Sequence, residues 1–342
     1  MKIAILDDYQ DAVRQLPCFD LLREHEVKVF RHSAAGLGQL AIRLAPFEAL
    51  VLIRERTHLS RALLQRLPNL KLISQTGKLA GHVDVAAASA CGITITEGVG
   101  DPTAPAELTW ALIMAASRQL NNYASLLQQG LWQTSSSVPA YNRLGRVLQR
   151  RTLGIWGYGK IGRLVAGYAR AFGMPVQVWA REASREAARA DGHAVATSQQ
   201  EFYASCDVLS LHMRLVPATR GVVKAADLAA MKPTALFVNT SRAGLVEPGA
   251  LVEALRRVRP GMAAVDVFED EPLTDPAHPL LQMDNVVCTP HIGYVTRDEF
   301  ELQFSDIFDQ INAFAAGRPI NVVNPQVLAG LRPAGAGDRG QA

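Results

Sequence analysis

The stretch "GIWGYGKIG", residues 154–162, decides how the rest of the chain is interpreted. Its three glycines, Gly157, Gly159 and Gly162, have the spacing G-x-G-x-x-G. The motif follows the apolar run that begins at Leu153, and the segment after it has helical periodicity. A strand, a glycine turn and a helix in this order form the unit that binds a dinucleotide pyrophosphate, whereas the glycine spacing alone is weak evidence.

This glycine turn has two interpretations. As a phosphate-binding turn, Gly157 permits the tight bend, Gly159 lets backbone N–H groups approach a phosphate, and Gly162 allows close packing of helix on strand. The helix N-terminus adds unpaired donors and partial positive charge. The cofactor contacts predicted here are Gly157, Tyr158, Gly159, Lys160, Ile161 and Gly162. The alternative is a tight turn that binds no ligand.

Short apolar, β-branched runs alternate with longer helical patterns along the chain. The first set is "KIAIL", "VKVF", "ALVLI", "LKLIS" and "ITIT", and the second is "LGIWG", "VQVWA", "DVLSLH", "ALFVN", "AAVDV" and "NVVC". Near-continuous apolar strands between helices are typical of parallel sheets covered on both faces. The sequence therefore predicts an α/β protein with two doubly wound parallel-sheet domains.

Three further segments have distinct patterns. Residues 101–130 begin with prolines and continue as an amphipathic helix, for which Asp101 or Thr103 is the predicted N-cap. The polar residues 133–145 predict a surface loop. Residues 318–342 lose all periodicity and predict a frayed end.

Composition narrows the classes of partner. The 342 residues suggest about two domains, and a net charge of +3 is too weak to indicate nucleic acid. The cysteines form no C-x-x-C pair and no Cys/His cluster, so we expect no metal site and no disulfide framework. The longest apolar run, "WALIMAA", is too short to span a membrane, and the N-terminus has no signal-peptide pattern. We expect a soluble, cytoplasmic protein without nucleic-acid or membrane partners.

The end of the second strand of the predicted dinucleotide unit bears on the choice of nucleotide. The position where an acid usually binds the ribose 2′-hydroxyl is Ala180, and it is followed by Arg181 and Arg185. Because a guanidinium matches the oxygens of a 2′-phosphate, this pattern favours NADP, with NAD as the alternative. Glu182 could still serve as the ribose acid one turn out of register. The two arginines could also simply cover a solvated surface.

Polar side chains follow three strands of the second set. "NTSRAGLVE" offers Arg242, "FEDEP" offers Glu269, Asp270 and Glu271, and "TPHIG" offers His291. The carboxyl ends of parallel strands gather at one edge of a sheet, so these groups can converge on one ligand. An arginine can bind a carboxylate, and a histidine oriented by a carboxylate can exchange the proton of an alcohol or carbonyl. Beside a nicotinamide, this set predicts interconversion of 2-hydroxy and 2-keto acids by hydride transfer.

Taken together, these blocks resemble the D-isomer-specific 2-hydroxyacid dehydrogenases, with members such as glyoxylate/hydroxypyruvate reductases and phosphoglycerate dehydrogenases. The resemblance runs from Ala49 to about Pro325 and includes "GIWGYGKIG", "DVLSLHMRLVPATRG", "MKPTALFVNTSRAGLVE", "VDVFEDEPL" and "VVCTPHIG". It implies the catalytic set Arg242, Glu271 and His291, with Glu271 preferred over Glu269. It also implies a homodimer and a small D-2-hydroxy acid or 2-keto acid as substrate.

The resemblance further implies a particular domain arrangement. A Rossmann dinucleotide-binding domain, residues 103–295, is inserted in a flavodoxin-like substrate domain made of residues 1–102 and 296–330. Residues 331–342 form a tail.

The remaining site residues also come from the resemblance. The loop "QTGKLAGHVD" is similar to the family's substrate-carboxylate loop, so the backbone N–H groups of Lys78 and Leu79 join Arg242 and His291 as substrate contacts. The further cofactor contacts are His212, Thr240, Ser241, Asp266 and Gly293. Asp266 is expected to accept from the nicotinamide carboxamide or to cap a turn. His212 is expected to contact the cofactor or to make a structural hydrogen bond.

The leading hypothesis is therefore an NAD(P)-dependent oxidoreductase in which His291 is the general acid and base. With NADP, we expect it to reduce a 2-keto acid. The alternative is a nucleotide-sensing binding protein of the same fold with little or no turnover, as in the C-terminal-binding corepressors. Formate-dehydrogenase-like chemistry pairs glutamine with the histidine, so Glu271 disfavours it.

Overall fold

A computed structural model describes residues 1–34, 36–139 and 141–330. Its strands are β1 (Lys2–Ile5), β2 (Glu26–Val29), β3 (Ala49–Leu52), β4 (Leu72–Gln75), β5 (Thr94–Glu97), β6 (Leu153–Trp156), β7 (Val176–Trp179), β8 (Ala194–Val195), β9 (Val208–Leu211), β10 (Leu236–Asn239), β11 (Met262–Val265) and β12 (Val286–Cys288). Its helices are α1 (Leu37–Leu44), α2 (Arg61–Leu64), α3 (Val85–Ala90), α4 (Thr103–Arg118), α5 (Leu120–Gln128), α6 (Lys160–Ala171), α7 (Glu182–Ala190), α8 (Gln199–Ser205), α9 (Ala225–Ala230), α10 (Ala250–Arg256) and α11 (Arg297–Ala315). The predicted tail, residues 331–342, lies outside the described residues.

The chain divides into two compact units. Unit 1 consists of residues 1–101 and the described residues from 295 onward, and unit 2 consists of residues 102–294. Unit 2 is thus inserted in unit 1 along the chain. The assignment of unit 1 to the substrate and of unit 2 to the cofactor stays a prediction at this point.

Unit 2 is built on a parallel sheet with the strand order β12-β11-β10-β9-β6-β7-β8. This is the order of a Rossmann fold with one added strand, and it reverses between β6 and β9. Helices cover both faces, so the strands are buried on two sides and are almost entirely apolar. Phe202, Tyr203 and Phe237 fill the core on one face, and Ile155 and Val178 belong to the core on the other.

Unit 1 has a parallel sheet with the order β2-β1-β3-β4-β5. This is the flavodoxin-like order, and it brings the carboxyl ends of β3, β4 and β5 side by side. Its core contains Leu50, Leu52 and Ile73, which are fully buried. The two sheets confirm the predicted α/β class and the pairing of a Rossmann with a flavodoxin-like architecture, and they contain all the strands that the sequence predicts.

The structure corrects three local predictions. The helix predicted over 101–130 is broken at Gln119, whose φ of 53° is left-handed, and Pro102 rather than Asp101 or Thr103 is its N-cap residue. Pro102 makes no side-chain capping hydrogen bond, so the helix begins without the polar cap that the sequence predicts. The two-residue strand β8 was not predicted, since two apolar residues carry too little pattern. Within the loop predicted over 133–145, Ser135 and Ser136 are buried.

The predicted frayed end is also wrong for its described part. Residues 325–330 form a 3-10 helix, and Val322 bridges to Thr96 of β5. Asn324 is only 1% exposed. Its Oδ1 accepts from Ile95 N at 2.8 Å, and its Nδ2 donates to Ile93 O and Ser89 Oγ at 2.9 Å each. The segment lacks periodicity because hydrogen bonds from one buried side chain, rather than an apolar face, hold it against β5.

We predict that Asn324→Ala destabilises unit 1 by about 2–4 kcal/mol, because it leaves a buried N–H and a buried carbonyl without partners. Urea unfolding followed by circular dichroism measures the change. Gln326→Ala is the matched control, since exposed Gln326 bonds only to Ser89 Oγ. Equal stability of the two variants would show that Asn324 does not hold this segment.

Candidate active site

The glycine turn after β6 has the geometry that requires glycine at two positions. Gly157 has φ 99°, and a Cβ there would lie 2.5 Å from the carbonyl oxygen of His212. A Cβ at Gly162 would lie 2.4 Å from the carbonyl oxygen of Gly157. Both contacts are shorter than carbon and oxygen tolerate. The turn after β6 therefore packs directly against the turn after β9, at the point where the strand order reverses.

The N-terminus of α6 fits the phosphates of a dinucleotide. Gly159 is its N-cap residue, no side chain caps it, and a Cβ at Gly159 would meet nothing within 4 Å. The first N–H groups of the helix are therefore accessible to an anion, and the helix dipole favours negative charge there. Gly159, Lys160 and Ile161 would hold a pyrophosphate through these groups.

Tyr158 lies in the same turn, but its side chain points elsewhere. It is buried, and its hydroxyl donates to Asp191 Oδ2 at 2.8 Å. Burial and this contact raise the pKa of Tyr158 to about 12. A cofactor contact of Tyr158 is therefore limited to its backbone.

Past β7, the two predicted arginines have different surroundings. Arg185 lies over the Trp179 ring, with 4.0 Å between guanidinium carbon and ring centroid, and its Nε donates to Ala180 O at 2.7 Å. Arg181 is exposed, and its side chain has no hydrogen-bond or ion-pair partner among the residues that the structure describes. Arg185 thus holds the turn, while Arg181 is available to a ligand.

Glu182, the other candidate for binding the ribose, is occupied within its own helix. Its carboxylate lies 3.0 Å from Arg189 and 3.4 Å from Arg185. A role as ribose acid would require breaking both ion pairs.

Three other predicted cofactor contacts have partners inside unit 2. Ser241 Oγ donates to Leu211 O at 2.6 Å, and Thr240 Oγ1 lies 2.7 Å from Thr109 Oγ1. His212 Nε2 lies 3.0 Å from Ser210 Oγ, and burial lowers the pKa of His212 to about 4. His212 is therefore neutral near pH 7. These contacts orient the turns after β9 and β10. For His212, the bond to Ser210 is the kind of structural hydrogen bond that was the alternative to a cofactor contact.

The predicted catalytic residues follow three neighbouring strands. β10 pairs with β11 and β11 with β12, all in parallel, with Asn239 opposite Val265 and Val265 opposite Cys288. Arg242, Glu271 and His291 come after these strand ends and so lie at the same edge of the sheet.

Glu271 and His291 are in direct contact. Glu271 Oε2 lies 2.5 Å from His291 Nδ1, and Glu271 Oε1 accepts from Phe268 N at 2.9 Å. The structure therefore places Glu271, rather than Glu269, beside the ring. With a proton on Nδ1 held by the carboxylate, Nε2 is the ring atom left for a substrate, and the described residues provide no partner for it.

Asp266 holds the turn that carries His291. Asp266 is fully buried. Its Oδ1 accepts from Thr289 Oγ1 at 2.6 Å and Ile292 N at 2.9 Å, and its Oδ2 accepts from Gly293 N at 3.0 Å. Burial raises the pKa of Asp266, which these donors oppose. The bonds fix the backbone around His291, whose φ of 52° is left-handed. The carboxylate thus acts as a turn cap, and the predicted cofactor contacts of Asp266 and Gly293 stay predictions.

The backbone of Arg242 is fixed by Asn239, whose Nδ2 donates to Arg242 O at 2.9 Å. Its guanidinium donates from Nη1 to Ser241 O at 2.6 Å and is partly exposed. A guanidinium offers five N–H donors in a planar fork, and two of them can bind a carboxylate together.

The predicted substrate loop of unit 1 contacts Glu97, a residue that the sequence analysis missed. Leu79 N donates to Glu97 Oε2 at 3.0 Å, and Lys78 Nζ lies 2.8 Å from Glu97 Oε1. The Leu79 N–H predicted to bind substrate is thus already bonded to a carboxylate of the same unit. Glu97 ends β5, the neighbour of β4, and the strand-end rule applied to unit 1 would have identified it.

The described residues offer neither a metal site nor a membrane-spanning helix. No group of three or more His, Cys, Asp or Glu side chains within them is arranged to hold a metal ion. None of the helices among them is long and apolar enough to cross a bilayer.

The amino-acid sequence of this chain is similar to a known enzyme family and to several of its members. Residues 110–293 match the family described as D-isomer specific 2-hydroxyacid dehydrogenase, NAD binding domain. The glyoxylate reductase of Aeropyrum pernix is 38% identical over 274 residues, which cover 79% of this chain and 81% of that protein. The D-3-phosphoglycerate dehydrogenase of Methanocaldococcus jannaschii is 32% identical over 314 residues, and this chain spans only 58% of its length.

The fold is also similar to solved structures. A crystal structure of an oxidoreductase from Ralstonia solanacearum is 56% identical, with a TM-score of 0.93. The match covers 97% of this chain and 99% of that one.

We predict that Asp266→Asn loosens the turn around His291, because an amide nitrogen would face N–H donors in place of a carboxylate oxygen. Hydrogen bonds to a charged acceptor contribute about 1.5–3 kcal/mol, so amide exchange at Ile292 and Gly293 should accelerate at least about 10-fold. Hydrogen exchange with mass spectrometry of a peptide spanning residues 286–294 measures this. Glu269→Gln, at an exposed site on the same loop, should leave exchange unchanged. Unaltered exchange in Asp266→Asn would show that the Asp266 carboxylate does not hold this turn in place.

Proposed function

The chain belongs to the D-isomer-specific 2-hydroxyacid dehydrogenase family, and we propose that it interconverts a small D-2-hydroxy acid and its 2-keto acid with a nicotinamide dinucleotide. The observation that carries this proposal is the 2.5 Å contact between His291 Nδ1 and Glu271 Oε2. It supplies a histidine of fixed orientation at the sheet edge where the dinucleotide turn also lies. The names of the relatives, glyoxylate reductase and D-3-phosphoglycerate dehydrogenase, support substrates of this class.

Each proposed catalytic residue has a separate task. Arg242 binds the substrate carboxylate and orients the neighbouring carbonyl. His291 Nε2 gives a proton to that carbonyl oxygen during reduction and takes it back from the hydroxyl during oxidation. Glu271 keeps the other ring nitrogen protonated and stabilises the imidazolium when His291 is charged. The bound nicotinamide supplies or accepts the hydride.

We also propose that NADP is preferred to NAD. The acid that would bind a ribose 2′-hydroxyl is replaced by Ala180, and Glu182 is engaged by Arg185 and Arg189. Arg181 is exposed at the N-cap of α7, where a 2′-phosphate would also meet the helix dipole. Arg185 contributes by holding the Ala180 carbonyl. A preference for NADP supports reduction as the direction in the cell.

A homodimer is proposed from the exposed apolar residues of one segment. Leu120, Leu127 and Val147 are exposed, as are Trp132 at 76% and Leu144 at 87%. Large apolar side chains that are exposed so near one another in the chain support an interaction site there. A second copy of this chain is the partner that we propose to cover them.

The test of function is oxidation of reduced nicotinamide, followed by absorbance, with glyoxylate, hydroxypyruvate and longer 2-keto acids. We expect turnover with at least one of them, and a fall of about 100-fold or more in kcat for His291→Ala. Binding of the reduced cofactor, measured by calorimetry, should change little in that variant. His32→Ala removes an exposed histidine of unit 1 and should behave as wild type.

Two results would contradict the proposal in different ways. Wild-type rates in His291→Ala would remove this residue from the proton transfer. No turnover by the wild type with any of these acids and either dinucleotide would favour the nucleotide-sensing alternative.

We predict that Arg181→Ala raises the KM for NADPH about 10-fold or more and changes that for NADH by less than about twofold. The reason is the loss of a charge-assisted hydrogen bond to the 2′-phosphate. Initial rates with each cofactor at saturating 2-keto acid measure the two constants. Arg170→Ala, exposed in the last turn of α6, should alter neither. Equal changes for both cofactors in Arg181→Ala would mean that Arg181 does not bind the phosphate.

A further inference from the structure

Unit 2 contains a cavity of about 60 Å³ at the edge of its sheet opposite the proposed catalytic residues. Its wall includes residues at the amino ends of β9, β10, β11 and β12. The remaining wall comes from Ser117, Gln119 and the segment between α5 and β6, which includes Arg146 and Arg151. A strand of four residues is about 13 Å long, so the cavity is separate from the groups that follow the carboxyl ends of these strands.

Three arginines line this cavity: Arg143, Arg146 and Arg151. Arg146 Nη1 donates to Thr234 O at 2.8 Å, and Arg151 Nε donates to Val147 O at 2.8 Å. Each of these bonds uses one of the five N–H donors of a guanidinium. Burial, together with the nearby charges of Arg151 and Arg143, lowers the pKa of Arg146. Like charges repel one another, and a bound anion would offset the repulsion.

The two acids of the wall are engaged by other groups. Asp207 lies 2.9 Å from Lys232 Nζ and accepts from Thr152 N at 2.9 Å. Asp284 Oδ2 accepts from Ser136 Oγ. The carboxylate of Asp207 is therefore paired with a lysine, and that of Asp284 is held by a hydroxyl. The arginines leave the cavity with a surplus of positive charge.

Asn285 adds a second kind of group to the wall. It is 4% exposed, and its Nδ2 donates to Gly261 O at 3.1 Å. Its Oδ1 is buried and has no hydrogen-bond partner among the residues that the structure describes. A buried acceptor without a donor costs about 1–3 kcal/mol, so a ligand that donates to it gains from the pairing.

We propose that this cavity binds a small oxyanion that also carries an O–H group, such as hydrogen phosphate. The oxygens of the anion accept from Arg146 and Arg151, and its O–H donates to Asn285 Oδ1. The proposal needs both the arginines and Asn285. An anion without an O–H leaves Asn285 Oδ1 unpaired, and a neutral donor leaves the positive charge of the arginines uncompensated. It does not depend on the proposed oxidoreductase activity or on the identity of the dinucleotide.

Inorganic phosphate is the probe for this site. The full chain is titrated with phosphate at pH 6.5 and constant ionic strength, and binding is followed as the rise in Tm and by calorimetry. We expect saturable binding, weakened at least 10-fold in both Arg146→Gln and Arg151→Gln. The matched control is Arg150→Gln, which removes the same charge from an exposed neighbour outside the cavity and should stay within twofold of wild type. Because Arg146 is partly buried, Arg151→Gln decides the test if Arg146→Gln fails to fold.

Phosphate that binds at the glycine turn of α6 would be unaffected by these variants. Unchanged affinity in the folded arginine variants, or no saturable binding by the wild type, would therefore overturn the proposal and leave the cavity to water. Sulfate tests the hydrogen bond from the ligand to Asn285 Oδ1, because sulfate has no O–H at this pH. It should bind at least fivefold more weakly than phosphate, and equal affinity would overturn the pairing with Asn285.

Discussion

The parallel pairing of β9, β10, β11 and β12 is the constraint on which the rest of unit 2 depends. Since every strand runs the same way, all chemistry-bearing turns leave at one edge and all strand starts meet at the other. At the first edge, the buried carboxylate of Asp266 fixes the conformation of the turn after β12. Three donors offset the cost of its burial and fix the left-handed turn that presents His291 to Glu271.

The sequence predicted the fold well because most strands are buried on both faces. Runs such as "ALFVN" and "LGIWG" are apolar at nearly every position, and no other common element combines that length with flanking helices. The strand-end rule then predicted which side chains meet, because in a parallel sheet it needs no loop coordinates. His291 beside Glu271 follows from these two arguments together with the family resemblance.

Features that depend on single tertiary contacts could not be predicted. Nothing in the local pattern distinguishes Arg181, which faces solvent, from Arg185, which stacks on Trp179. The bond between Leu79 N and Glu97 joins neighbouring strand ends of unit 1, and it occupies a donor that the resemblance had assigned to substrate. Likewise Gln119 breaks a helix although its neighbours have good helical periodicity. This left-handed residue is buried, and its Nε2 donates to Arg143 O, a contact that the local pattern does not reveal.

The insertion of unit 2 in unit 1 has a consequence for how the protein emerges from the ribosome. Residues 102–294 form a complete folding unit as soon as they have left the exit tunnel. Unit 1 cannot complete its folding until later, because the acceptor for Ile95 N is the side chain of Asn324, 229 positions further along the chain. Until Asn324 has been synthesised, the unpaired edge of β5 can pair with strands of other chains. The nascent chain is therefore most exposed to misassociation, and most in need of a chaperone, in residues 1–101.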